Sequence, residues 1–92
     1  MRYTWDKTKS ERNRRDRGLP FDRAQDIDLD ASLVEEDDRR DYGEPRYVVY
    51  GFIAARLHVM CFTPLTDGIR VISLRKANLR EVRYYEQEKS DR

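Results

Sequence analysis

Three β-rich runs between residues 46 and 75 are joined by links too short for anything but a reversal of direction. Residues 46–53 read RYVVYGFI, 56–63 read RLHVMCFT and 69–75 read IRVISLR. β-branched and aromatic residues suit the pleated, half-buried surface of a strand. Ala54-Ala55 form the first link and residues 64–68, from Pro64 to Gly68, form the second. Parallel neighbours need a crossover of a dozen residues or more, whereas a hairpin closes in two to five. The region therefore predicts an antiparallel meander on which the rest must pack.

The flanking segments supply that packing. Residues 2–5 (RYTW) read as a short strand. Asp6 stands at an N-cap position and Gly18 at a C′ position, predicting a helix over 7–16. It holds no large apolar residue, so Trp5, Leu19 and Phe21 on either side are its expected anchors. Pro20 suits a first helical turn, and Phe21, Ala24 and Ile27 recur every third residue, predicting a second short helix. Residues 32–34 read as a weak strand and 37–43 as a charged loop. Asn78 and Glu81 form a capping box before a helix over 78–88 with Leu79, Val82 and Tyr85 as its apolar stripe. The expected fold class is α+β: a small antiparallel sheet with two N-terminal helices and a C-terminal helix packed on it. At 92 residues the chain is expected to form a single domain, 1–92.

Charge is segregated. Residues 1–21 carry seven basic and three acidic side chains, 22–44 three and ten, and 45–92 nine and five. The formal net charge of +1 thus hides an acidic segment between two basic ones, which suit a polyanion if they meet in space. The single cysteine, Cys61, excludes an internal disulfide and sits in an apolar run, so a buried, inert thiol is expected. No run approaches the ~18 apolar residues of a membrane span, and the amino terminus lacks a signal-peptide core, so a cytoplasmic location is expected. One His and one Cys, with no spaced cluster around them, give no metal site. The acidic run 35–38 reads as a solvated loop rather than a cation site. Neither a Gly-rich phosphate loop nor a nucleophile elbow is present, and no cofactor is expected.

Arginine and lysine beside a sheet, with scattered carboxylates, one His and six Tyr, remain. RNA cleavage by transesterification can be built from these. The 2′-oxygen must lose a proton, the phosphorane needs positive charge and the 5′-oxygen needs a proton.

Four stretches carry a resemblance. They are Trp5-Asp6 with Lys9, Asn13, Gly18 and Phe21; residues 38–51 (DRRDYGEPRYVVYG), with Gly43-Glu44 and Arg46; Phe62-Thr63 at a strand end; and residues 69–77 (IRVISLRKA) followed by Arg80-Glu81 and Tyr84-Tyr85. In this order and spacing the chain resembles the BrnT toxin family. The resemblance implies a RelE-like fold and a ribonuclease toxin of a type II toxin–antitoxin system, cleaving RNA without a metal and inhibiting translation. It also implies neutralisation by a BrnA-type antitoxin, a ribbon-helix-helix DNA-binding protein through which alone operator DNA is reached, and a possible dimer of toxin–antitoxin pairs. Two positions depart from the family pattern. Asp16-Arg17-Gly18 stands where Lys-His-Gly is common, and Pro45-Arg46 where Glu-Arg is usual.

On this reading Arg70 and Arg75 stabilise phosphate charge, and Glu81, His58 or Tyr84 moves protons. Lys9, Arg46 and Lys76 are the expected RNA contacts. One geometric tension is visible beforehand. Arg70 and Arg75 are five apart, so a regular strand sends them to opposite faces. A bulge, a strand end before Arg75, or a site containing only one of them resolves it. The alternative function is a catalytically degenerate module that only binds antitoxin and regulates the operon. The missing His at position 17 favours it.

Overall fold

The computed structural model describes residues 1–91. In chain order it contains β1 (Arg2–Trp5), α1 (Lys7–Arg17), a 3₁₀ helix (Phe21–Asp26), β2 (Leu33–Glu36), β3 (Tyr47–Ile53), β4 (Arg56–Leu65), β5 (Gly68–Lys76) and α2 (Leu79–Ser90). The five strands form one sheet in the order β1-β5-β4-β3-β2.

The meander β3-β4-β5 is antiparallel, and β2 adds to β3 in the same sense. Two expectations need correction. The sheet is mixed, because β1 runs parallel to β5 and pairs Arg2 with Gly68 and Trp5 with Val71. The second N-terminal helix is a six-residue 3₁₀ stretch, so the amino-terminal half holds one α-helix. Phe21 and Ala24, three apart, lie on the same side of a three-residue turn, and both are buried. A three-residue recurrence fits 3₁₀ geometry as well as an α-helix.

The caps form as the local sequence requires. The Asp6 side chain accepts from the Lys9 amide, and Gly18 takes a left-handed conformation at φ 70°. Asn78 and Glu81 complete a reciprocal capping box on α2. Ala54, the first residue of the β3–β4 hairpin link, is the one non-glycine with positive φ among the described residues, at 53°.

The sheet is covered on both faces. On one, Leu19, Phe21, Ala24 and Ile27 pack against Val49, Ile53, Met60, Ile69, Val71 and Leu74. On the other, Val82 and Tyr85 of α2 pack with Val48, Tyr50, Phe52, Leu57, Val59 and Ala77. Each fully buried aliphatic or aromatic side chain contributes about 1.5–3 kcal/mol by leaving water. α1 contributes almost none of this, since Ser10 is its only buried residue. Polar bonds hold it instead. Asn13 Nδ2 donates to the carbonyls of Leu19 (2.6 Å) and Leu74 (2.8 Å), and Ser10 Oγ accepts from the Phe21 amide (2.8 Å).

β5 is irregular at one point. Cys61 pairs with Ser73 but Phe62 with Val71, so Ile72 is an extra residue. Ile69, Val71 and Leu74 accordingly all enter the same cluster despite the change of spacing.

Candidate functional site

The bulge at Ile72 resolves the geometric tension over the two arginines. Arg70 pairs across β4 with Thr63, and Arg75 with Val59. With the extra residue absorbed between them, both side chains leave the sheet on the α2 face. Four ladder steps separate them, about 13 Å of strand, so they serve different neighbourhoods of that face.

Arg75 belongs to a cleft between the sheet and the start of α2. Val48, Tyr50, Val59 and Cys61 form its floor. Glu35, Glu36, Asp37, Arg39, Arg75 and Glu81 line it, around a volume of about 240 Å³. Arg75 and Glu81 make a two-pronged ion pair, with both N–H···O distances 2.7 Å. Glu81 is therefore held below the ordinary carboxylate range, chiefly by the Arg75 guanidinium. The pair uses the Nη1/Nη2 edge of the guanidinium. Among the described residues no group bonds the edge made by Nε–H and the remaining Nη2 hydrogen, and such a fork matches two phosphate oxygens.

Tyr84 adjoins the cleft. Its hydroxyl donates to Glu35 of β2, and its ring meets Tyr50 edge-on at 5.6 Å. The bond to Glu35 pushes its pKa up to about 12, so the phenol keeps its proton at neutral pH. Tyr50, half-buried on the cleft floor, is likewise raised, by desolvation. Cys61 is half-exposed in the same floor, a correction to the buried thiol expected from its apolar surroundings. The acidic run is also corrected. Glu35 and Glu36 belong to β2. Asp37 is buried at 7% exposure, bonded by Arg39 (2.8 and 2.9 Å) and Tyr42 (3.1 Å), which hold its pKa down to about 2.

Arg70 forms a separate cluster. Its Nη2 bonds both oxygens of Glu44 at 3.0 and 2.8 Å, and Arg46 approaches the same carboxylate at 3.4 Å while lying 4.1 Å over the Tyr42 ring. His58 lies elsewhere again. Its register partners are Gly51 and Lys76, on the face opposite Arg75. It is 4% exposed, and Nδ1 lies 2.8 Å from the Arg56 carbonyl. Desolvation lowers its pKa below the ordinary imidazole value. Lys76 is exposed at the end of β5, and Lys9 lines a groove between α1 and β5. The structure therefore brings Arg75 and Glu81 together in the cleft, sets Tyr84 beside it through Glu35 and Tyr50, and places the other five candidates outside it. Among the described residues no group of three or more His, Cys, Asp or Glu side chains is arranged to hold a metal ion. No helix of the described residues is long and apolar enough to cross a membrane.

A family model described as a ribonuclease toxin, BrnT, of type II toxin–antitoxin systems matches residues 5–81. The chain belongs to the BrnT family. Comparison with curated proteins and with solved structures gives no match. The BrnT span begins at Trp5 and ends at Glu81, so Tyr84 lies beyond it. Membership in a type II toxin family implies a protein antitoxin as partner. Sequence reasoning missed Glu35, Tyr50 and Arg39 as cleft residues. The alternation of β2 and β3 could have placed Glu35 and Tyr50 on one face, but only the sheet order shows that this face meets α2, and Arg39 lies beyond the end of β2.

Proposed function

We propose that this BrnT chain is an endoribonuclease toxin that cleaves RNA by transesterification in the Arg75–Glu81 cleft, without a metal, and thereby inhibits translation. The observation that carries the reading is the Arg75 guanidinium, held by Glu81 through two 2.7 Å bonds and lining a cleft of about 240 Å³. In the proposed step the 2′-oxygen attacks phosphorus, and Glu81 takes the 2′ proton. Arg75 offsets the charge of the phosphorane. The 5′-oxygen leaves with the proton of Tyr84, giving a 2′,3′-cyclic phosphate and a 5′-hydroxyl. Arg70, Arg46, Lys9 and Lys76 would contact RNA away from the reacting phosphate. The neutralising partner is a BrnA-type ribbon-helix-helix antitoxin that carries the operator-DNA contacts, in a RelE-like arrangement that allows a dimer of toxin–antitoxin pairs in the cytoplasm.

A second reading has its own support. Arg70 and Arg75 are both engaged by carboxylates, and the cleft holds four carboxylates against two arginines. That field opposes a phosphate, as expected of a degenerate toxin retained for antitoxin binding. The discriminating experiment is cleavage of purified RNA in excess EDTA by wild type and by the Arg70→Ala/Arg75→Ala variant. The ribonuclease reading expects fragments with cyclic phosphate ends from wild type and a loss of about 10²–10³ in rate from the variant. A folded wild type that yields no fragments supports the degenerate module.

A further inference from the structure

A dense run of positive charge lies not in the cleft but along α1. The helix carries Lys7, Lys9, Arg12, Arg14, Arg15 and Arg17 against Glu11 and Asp16, a net +4 over its 11 residues. Among the described residues only Arg14 of these cations is ion-paired, to Glu11. A helix polar on every side gains nothing from packing, and α1 adds almost nothing to either cluster. It is nevertheless fixed in place by the bonds of Asn13 and Ser10. Its position is specific. β1 pairs with β5 only as far as Val71, and beyond that point α1 lies alongside, with Asn13 on the Leu74 carbonyl. Between α1 and the bulge runs a groove of about 300 Å³ lined by Lys9, Arg12, Asn13, Asp16 and Arg17 on one side and Ile72 and Ser73 on the other. Three cations face one carboxylate there, the reverse of the cleft.

We propose that this α1–β5 groove is the binding track for the RNA backbone, with Lys9, Arg12 and Arg17 holding successive phosphates of a single strand and delivering it past Ser73 towards Arg75. The inference rests on the ribonuclease reading above and adds where the substrate is held. Ser73 and Arg75 are two residues apart on β5, roughly 7 Å. A strand leaving the groove therefore reaches Arg75 without crossing the acidic rim formed by β2. Separating the binding track from the cleft also explains how a cleft rich in carboxylates can be served by a polyanion. Affinity is generated where the field is positive, and the cleft needs only to accept one phosphate already in place.

The test uses a fluorescently labelled single-stranded RNA oligonucleotide, 2′-O-methylated so that it cannot be cleaved, titrated with the intact protein over a range of salt concentrations. The Arg12→Glu/Arg17→Glu variant is expected to bind at least tenfold more weakly. Its slope of log K against log salt should fall by about 1.4, the loss of two single-strand phosphate contacts. Arg12→Gln/Arg17→Gln guards against helix disruption and should show the same direction with a smaller loss. The Arg83→Glu/Lys89→Glu variant changes net charge equally on α2 and should leave affinity within about twofold of wild type, a shift of under ~0.5 kcal/mol. Circular dichroism checks that every variant is folded. Equal losses from the α1 and α2 variants, or none from α1, overturn the proposal. A wild type that cleaves unmodified RNA while the groove variants keep its KM refutes the track alone. A wild type that neither binds nor cleaves RNA refutes the track and the ribonuclease reading together.

Discussion

Gly68 is where one methyl group should do the most damage. A Cβ built there would lie 1.8 Å from the Arg2 carbonyl oxygen and 2.6 Å from the Arg2 carbonyl carbon and nitrogen, all backbone atoms of β1. Real Cβ contacts stay above 3.0 Å, so β1 would have to retreat from β5 by more than an ångström. At that spacing the parallel ladder cannot hold its hydrogen bonds, each worth about 1 kcal/mol net. Tyr3 and Trp5, half-buried against the core, lose roughly 1 kcal/mol each as the strand lifts. The expected cost of Gly68→Ala is about 3–5 kcal/mol. A chain of 92 residues has roughly 5–14 kcal/mol in total. Two other glycines calibrate the reasoning. Gly51→Ala meets a side chain, Ile27 Cγ2 at 2.5 Å, which can shift, at about 1–3 kcal/mol. Gly18→Ala meets nothing and bears only the left-handed backbone, at about 1–2 kcal/mol. Urea unfolding followed by tryptophan fluorescence reads this directly, because Trp5 is the only tryptophan and lies on β1. Gly68→Ala should show the lowest midpoint of the three and a red-shifted emission before any urea is added. If its midpoint equals that of Gly18→Ala and its emission is unshifted, the close approach of β1 is not what requires glycine here.

Three further substitutions test the structure. Ala54→Gly should raise stability by about 0.5–1 kcal/mol, because it relieves a positive φ at a small entropic cost, and a lowered thermal midpoint would contradict this. His58→Gln should leave the rate of RNA cleavage nearly unchanged, instead of causing the ~10²–10⁴-fold drop of a lost general acid or base. Because the fold favours neutral His58, wild-type stability should decline as pH falls below the unfolded value of 6.5, and the variant should lack that decline. Asp37 is held down to about 2 when folded against 3.8 unfolded, so its stabilisation is complete above about pH 5 and is lost progressively as pH falls from there through 2. Urea midpoints from pH 5 to 2.5 should therefore fall less steeply in Asp37→Asn, and parallel curves would refute the assignment.

What could be read in advance was local. Link lengths dictated the β3-β4-β5 meander, and Asp6, Gly18, Asn78 and Glu81 marked the helix ends, because a cap is satisfied within four residues of itself. The family was likewise legible, since its motifs are stretches of sequence. The site was legible only in part. Arg75 and Glu81 are six apart and meet through the turn between β5 and α2, a short-range event. Tyr84 meets Glu35 across 49 residues, and nothing in either neighbourhood names the other.

The remaining decisions were made by the tertiary structure. The pairing of β1 with β5 joins residues 66 apart, so neither its partner nor its parallel sense is set by neighbours in the chain. The bulge at Ile72 brings Arg70 and Arg75 to one face. A single extra residue changes the parity of every side chain beyond it, and only pairing against β4 reveals that one is extra. The same parity places His58 under the amino-terminal cover and out of the cleft. The sequence by itself determined which segments bend, cap and extend, because those energies are set by neighbours in the chain. Which face each functional side chain occupies was decided by the assembled sheet, because a strand has two faces and its sequence does not say what will cover them.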